Sequence, residues 1–144
     1  MSNEHTVKSY EEELQHLTDS VIKMGSLTET QLVDSMNAII KVDKDSIDKI
    51  IKSDEEINKF RSKIDTQIMT LLVKRAPMAI DLRMIISSLQ IASCLERCGD
   101  YGRNLARRSD LGLSEASQSL SSGMKRLGEA CLLYTSPSPR DCKT

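Results

Sequence analysis

"PMAIDLRMIISSLQIASCLERCGDYGRNLARR", residues Pro77 to Arg108, is the stretch whose reading decides the fold. Taken three and four residues at a time, it gives Leu82, Ile85, Leu89, Ala92, Glu96, Gly99, Arg103 and Ala106, an unbroken heptad row. Such a row is the stripe with which a helix packs on its neighbours. Its first half is apolar. Its second half carries Glu96, and Asp100 and Asn104 follow at successive turns, so three oxygen-bearing side chains form one ladder on the helix surface. A carboxylate placed in a packing seam is costly unless something neutralises it. This helix therefore announces a candidate site where its core should continue.

Working outward, the segment before Pro77 is equally regular. From Ser46 to Arg75 the seam reads Ile47, Ile50, Asp54, Ile57, Arg61, Ile64, Ile68 and Leu71, with Asp54 and Arg61 as its two polar members. Asp43 or Asp45 can cap its start. The residue before a proline avoids the helical region, so the helix ends at Pro77. A connection this short folds the two helices into an antiparallel hairpin. An earlier helical pattern runs from Val7 to Lys41 with Leu14, Leu17, Val21, Met24, Thr28, Leu32, Met36 and Ile39 as its stripe. Two fours in succession, from Met24 to Leu32, predict a stutter beside Gly25 within a continuous helix. A fourth helix is expected after Ser114, with Leu120, Met124 and Leu127 leading toward Ala130.

The hairpin fixes a register. With the turn near residue 76, Asp54 faces the turn that holds Glu96 and Asp100, and Asn58 lies one turn along. Negative charges converging in a packed groove call for a cation. A metal ion is one answer, and Arg97 or Arg103 is another that needs no metal. Oxygen ligation alone does not select the ion.

Composition agrees with an all-α chain: 144 residues with one Phe, three Tyr and no Trp, and a core built of Leu, Ile and Met. The formal charge of −1 and the scattered Lys and Arg, without aromatics for stacking, argue against nucleic acid. No apolar run reaches the ~20 residues of a membrane span. The polar start "MSNEHTVKSYEEE" is unlike a signal peptide, and a cytoplasmic protein is expected. Cys94 and Cys98, one turn apart, have the wrong spacing for a redox Cys-x-x-Cys and are expected as reduced packing residues, with metal ligation as the lesser alternative.

From Cys131 the text changes character. "CLLYTSPSPRD", Cys131 to Asp141, looks like the translation of a transposase-type sequencing adapter, matching at each of its residues. Residues 131–144 are therefore expected to be foreign to the protein, and the expectation is that the gene is cut near Ala130.

The segments "ELQHLTDSVIKMG", "IIKSDEEIN", "KIDTQIMTLLVKRAPMAIDLR" and "LERCGDYGRNLARR" resemble the PhoU family of bacterial phosphate-uptake regulators. The resemblance spans nearly all of residues 10–110. It implies an antiparallel three-helix bundle over 1–110, the first of two tandem repeats, followed by the opening of the second over 111–130. It also implies a regulatory role without catalytic residues. The partners implied are the phosphate ABC transporter ATPase and a sensor histidine kinase, with no insertion into the membrane, and a homo-oligomer is expected. The family's metal clusters carry over to Glu96 and Asp100. Asp54, from the register, and Asp81, from the matching "DLR", are added to them. Iron, manganese, magnesium or zinc would be the ion. Arg83, Arg97 and Asn104 are expected to contact partners. Cys98 departs from the aliphatic residue more usual there.

Two other readings stand beside this one. A carboxylate-bridged oxidase would use Glu-x-x-His pairs, and only Glu13 with His16 has that spacing. A structural helical module would use Glu96, Arg97 and Asp100 as ion pairs and bind no metal.

Overall fold

A computed structural model describes residues 2–40, 44–109 and 118–135. They form four helices, α1 (Ser2–Ile40), α2 (Lys44–Arg75), α3 (Ala79–Ser109) and α4 (Gln118–Thr135). The first three pack on one another, and α4 lies against α1. Pairs along the bundle give its sense. Glu13 meets Arg75 and Gln31 meets Asp54, so α1 and α2 are antiparallel. Tyr10 meets Asp81 and Gln31 meets the Gly99 carbonyl, so α1 and α3 run parallel. The three-helix bundle with the start of a fourth helix is as expected.

The α2 seam is buried at Ile47, Ile50, Asp54, Ile57, Ile64, Ile68 and Leu71, with Arg61 half-buried. The α3 row holds from Ile85 to Ala106, while its first member, Leu82, is exposed. α1 corrects the expected stutter. Its buried line is Leu17, Met24, Thr28, Gln31, Ser35 and Ala38, with half-buried Val21 between the first two. That is alternating threes and fours without interruption. Following apolar residues alone led to Leu32 and Met36, which are half-buried beside the true seam. The seam itself turns polar.

The α2–α3 turn comprises Ala76, Pro77 and Met78, so α3 starts at Ala79 rather than at the proline. Ala76 and Ala79 both have positive φ, 43° and 52°. Ala76 is barred from the right-handed helical region by the proline after it and adopts the left-handed one, at a cost of about 1–2 kcal/mol for a residue with a Cβ. Asp45 sits in the first turn of α2; Asp43 and Ser114 lie outside the described residues. α4 continues to Thr135, and on its inner side a Cβ on Gly128 would collide with Met36 of α1.

Two clusters make the apolar core. The larger, nearer the α2–α3 turn, gathers Leu17, Met24, Ile57, Ile64, Ile68, Leu71, Ile85 and Ala92. The smaller, at the opposite end, is Ala38, Ile50 and Ala106. Polar residues lie between them.

Candidate functional site

The polar layer is centred on Asp54, 3% exposed, on α2. Gln31 of α1, fully buried, donates through Nε2 to Asp54 Oδ1 at 3.1 Å and to the Gly99 carbonyl at 2.8 Å. Arg103 of α3 donates through Nη1 to Asp54 Oδ2 at 2.5 Å, and its Nη2 lies 2.9 Å from Asp100 Oδ1. One glutamine thereby ties all three helices, and one arginine neutralises two acids. Gln31 Oε1 and Arg103 Nε are buried without a hydrogen-bond partner.

Two glycines permit this closeness. A Cβ on Gly99 would stand 3.2 Å from Ile57 Cδ1 and 3.5 Å from Asp54 Oδ1, so α2 approaches there. A Cβ on Gly102 would stand 3.1 Å from Ser35 Oγ and 3.3 Å from Leu32 Cδ2, so α1 approaches there. The glycines of "ERCGDYG" are thus the places where α3 wedges between its neighbours.

The expected site residues fall into three groups. Asp54 and Asp100 are brought together through Arg103. Glu96 is on a different partner: Arg61 donates from Nε to Glu96 Oε2 at 3.2 Å and also bonds Asp65. The register differs from the expected one here: Glu96 is met by Arg61, two turns further along α2 than Asp54. Asp81 lies 19 positions before Asp100 on the same helix, about 28 Å away at about 1.5 Å per residue. It accepts from the Tyr10 hydroxyl at 3.0 Å. Burial and then this bond raise the Tyr10 pKa. Arg75 completes that end of the bundle with bonds to Ser9 and to both Glu13 oxygens, and it lies over the Tyr10 ring.

The fit of a metal can be judged from these donors. Among the described residues no three of His, Cys, Asp and Glu come together as a metal group. Asp54 has both oxygens engaged, and each of Glu96 and Asp100 has an arginine. As arranged, the four acids do not form one carboxylate cluster; Arg61 and Arg103 supply the positive charge. Arg103 is the cation that the sequence offered. Arg97 turns outward instead, where the hydrogen bond it donates to the Tyr101 oxygen is the main cause of its raised pKa.

Sequence reasoning missed Gln31 and Ser35, and a strict heptad count from Leu17 would have found them. It also placed Cys94 and Cys98 in the packing, whereas both are free and exposed. Gly102, one turn beyond Cys98 on the same row, is buried, but the contact does not extend along that row to the cysteines. Arg83, Gln90, Arg97 and Asn104, seven apart, form one exposed line along α3. Glu13 and His16 border an open groove of about 390 Å³ between α1 and α2, with the Glu13 carboxylate held by Arg75. No helix among the described residues is long and apolar enough to cross a membrane.

The family model for the PhoU domain matches residues 21–109. A Caulobacter vibrioides (strain NA1000 / CB15N) protein named "Phosphate-specific transport system accessory protein PhoU homolog" is 40% identical over 128 residues, 88% of this chain and 55% of its own length. A Rhizobium meliloti (strain 1021) protein of the same name is 35% identical over 134 residues, 92% of this chain and 56% of its own length. An Edwardsiella tarda protein named "Phosphate-specific transport system accessory protein PhoU" is 31% identical over 127 residues, 88% of this chain and 52% of its own length. The chain spans about half the length of the curated relatives it matches. No solved structure matches it. The matched segment runs from within α1 to the end of α3 and contains the whole polar layer, and on that footing the chain belongs to the PhoU family.

Proposed function

We propose that the chain serves in a cytoplasmic accessory protein of phosphate transport, restraining phosphate-starvation signalling between the phosphate ABC transporter and its sensor histidine kinase. The observation that carries this reading is the family match over the polar layer, with relatives named as accessory proteins of phosphate transport. The fold suits the task. A rigid bundle offers helix faces to partner helices, and the exposed line Arg83, Gln90, Arg97 and Asn104 is the face proposed for contact. The test is complementation of a bacterium lacking its own PhoU, read with a phosphate-starvation reporter in phosphate-rich medium. Restored repression, lost when Arg83, Arg97 and Asn104 are replaced together by alanine, supports the reading. A reporter that stays on with a soluble, folded chain opposes it, unless extending the chain with a relative's second half restores repression, in which case the activity needs the whole protein.

A second reading adds a metal at Glu96 and Asp100. What favours it is their position one turn apart, with side chains that remain 40% and 42% exposed beside their arginines. An ion there has to draw the two acids away from Arg61 and Arg103. Iron and manganese content of the purified chain, before and after Glu96→Ala with Asp100→Ala, decides the matter: metal lost with both acids supports it, and equal content opposes it.

A further inference from the structure

Cys94 and Cys98 take no part in the core or the polar layer. Both are free, both are exposed, and they stand one turn apart inside an uninterrupted helix. Residues four apart on a helix have Cβ atoms about 5–6 Å from each other and lean along one row. A disulfide asks for Cβ atoms at about 3.5–4.5 Å, which this helix does not offer without distortion. An ion between the sulfurs asks for less. Two metal–sulfur bonds of about 2.3 Å each span up to ~4.6 Å between sulfurs, which rotamer choice alone supplies while the helix stays intact.

The ligand count then selects the ion. A structural zinc site takes four ligands, and among the described residues no third His, Cys, Asp or Glu joins this pair in a metal group. Soft thiolates and nothing more favour a soft cation content with two ligands, and Cu(I) heads that class. Arg97 lies between the two cysteines in sequence. Its guanidinium keeps its positive charge throughout the neutral range. Two thiolates and one monovalent ion leave one negative charge, which that guanidinium offsets.

We propose that Cys94 and Cys98 form a two-thiolate site for a soft, two-coordinate cation on the exposed face of α3, with Cu(I) as its natural probe. Binding is an exchange without electron transfer. Each thiol loses its proton to solvent, two Cu–S bonds form, and copper stays Cu(I).

The test uses the full chain carrying Cys131→Ser and Cys142→Ser, so that only this pair reports. Under reducing, oxygen-free conditions Cu(I) is offered as its bicinchoninate complex. The expected result is withdrawal of one ion per chain, loss of both reactive thiols and unchanged helical circular dichroism. Cys94→Ser and Cys98→Ser, both at exposed positions that do not threaten folding, each remove the chelate and weaken binding by about 10²–10⁴-fold. Equal withdrawal by either single variant overturns the site, as does binding that survives in the double variant, where methionine sulfur would be the ligand. One ion per two chains overturns it too, since the cysteines would then be bridging copies.

Discussion

The two halves of the bundle obey one heptad rule with opposite contents. Toward the α2–α3 turn the seams meet as Leu17, Met24, Ile57, Ile64, Ile68 and Ile85. One step further the same seams meet as Gln31, Ser35, Asp54, Gly99 and Arg103. Aliphatic layers reward any alignment that keeps apolar surface dry, because burial is non-directional. The polar layer rewards one alignment: Asp54 finds both Gln31 and Arg103 only when all three helices are in register. A buried polar group fixing register is the best-attested use of such a feature, and we take it as the hypothesis for this layer.

The largest expected effect comes from breaking that layer. Asp54→Ala leaves Gln31 and Arg103 without their shared acceptor and is expected to cost about 3–5 kcal/mol, the range for stripping one partner from a buried pair. Ile64→Ala, the aliphatic counterpart at full burial, is expected to cost about 2–5 kcal/mol through lost transfer energy and a cavity. The triple change Gln31→Leu, Asp54→Leu and Arg103→Met separates the halves. It removes all three polar partners together and is expected to range from neutral to a gain of about 1–4 kcal/mol. Urea unfolding measures each. A triple variant as unstable as Asp54→Ala would mean that the layer contributes net stability as well as register.

Next in size is a pair of identical substitutions with opposite signs. At Gly102 a new Cβ meets Ser35 Oγ at 3.1 Å, and that hydroxyl is held at 2.6 Å from the Gln31 carbonyl. Leu32 closes the other side at 3.3 Å. Overpacking of about 1–3 kcal/mol outweighs the helix propensity of alanine, so Gly102→Ala is expected to lower the melting temperature. At Gly25 the nearest atom is Leu95 Cδ1 at 3.9 Å, an ordinary contact. Gly25→Ala is expected to raise stability by about 0.5–1 kcal/mol. A stabilised Gly102→Ala would show that α1 can retreat from α3 and that the polar layer is looser than its distances imply.

These glycines also mark how far the sequence could be read. The fold was legible because α2 and α3 state their seams plainly and Pro77 marks the turn between them. Asp54 and Arg103 were legible as misfits within those seams. Gln31 was not, since a glutamine followed by Leu32 and Met36 is outvoted when apolar residues alone define the stripe. The partner of Glu96 was lost to register: Arg61, two turns further along α2 than Asp54, meets it. Cys94 and Cys98 were misplaced because periodicity tells which residues share a row, not how wide the contact is.

The smallest expected effect tests the far end of the bundle, where an ion pair lies near the surface instead of inside. Arg75 holds Glu13 through two bonds at 2.9 and 3.1 Å. The hydrogen bond from Arg75 is the main cause of a Glu13 pKa below its ordinary value of 4.5. With the folded pKa depressed, the contribution of Glu13 is fully present above 4.5 and disappears as the pH falls through the lower, folded value. The difference in stability between the parent chain and Glu13→Gln should therefore be constant near neutral pH and shrink in acid. Added salt should shrink it as well, because a pair this close to solvent is screened. Asp54, shielded within the bundle, should lose less to salt in the same experiment. Equal salt sensitivity of the two pairs would erase the distinction between a surface clasp and an internal one, and with it the claim that only the polar layer sets the register of the helices.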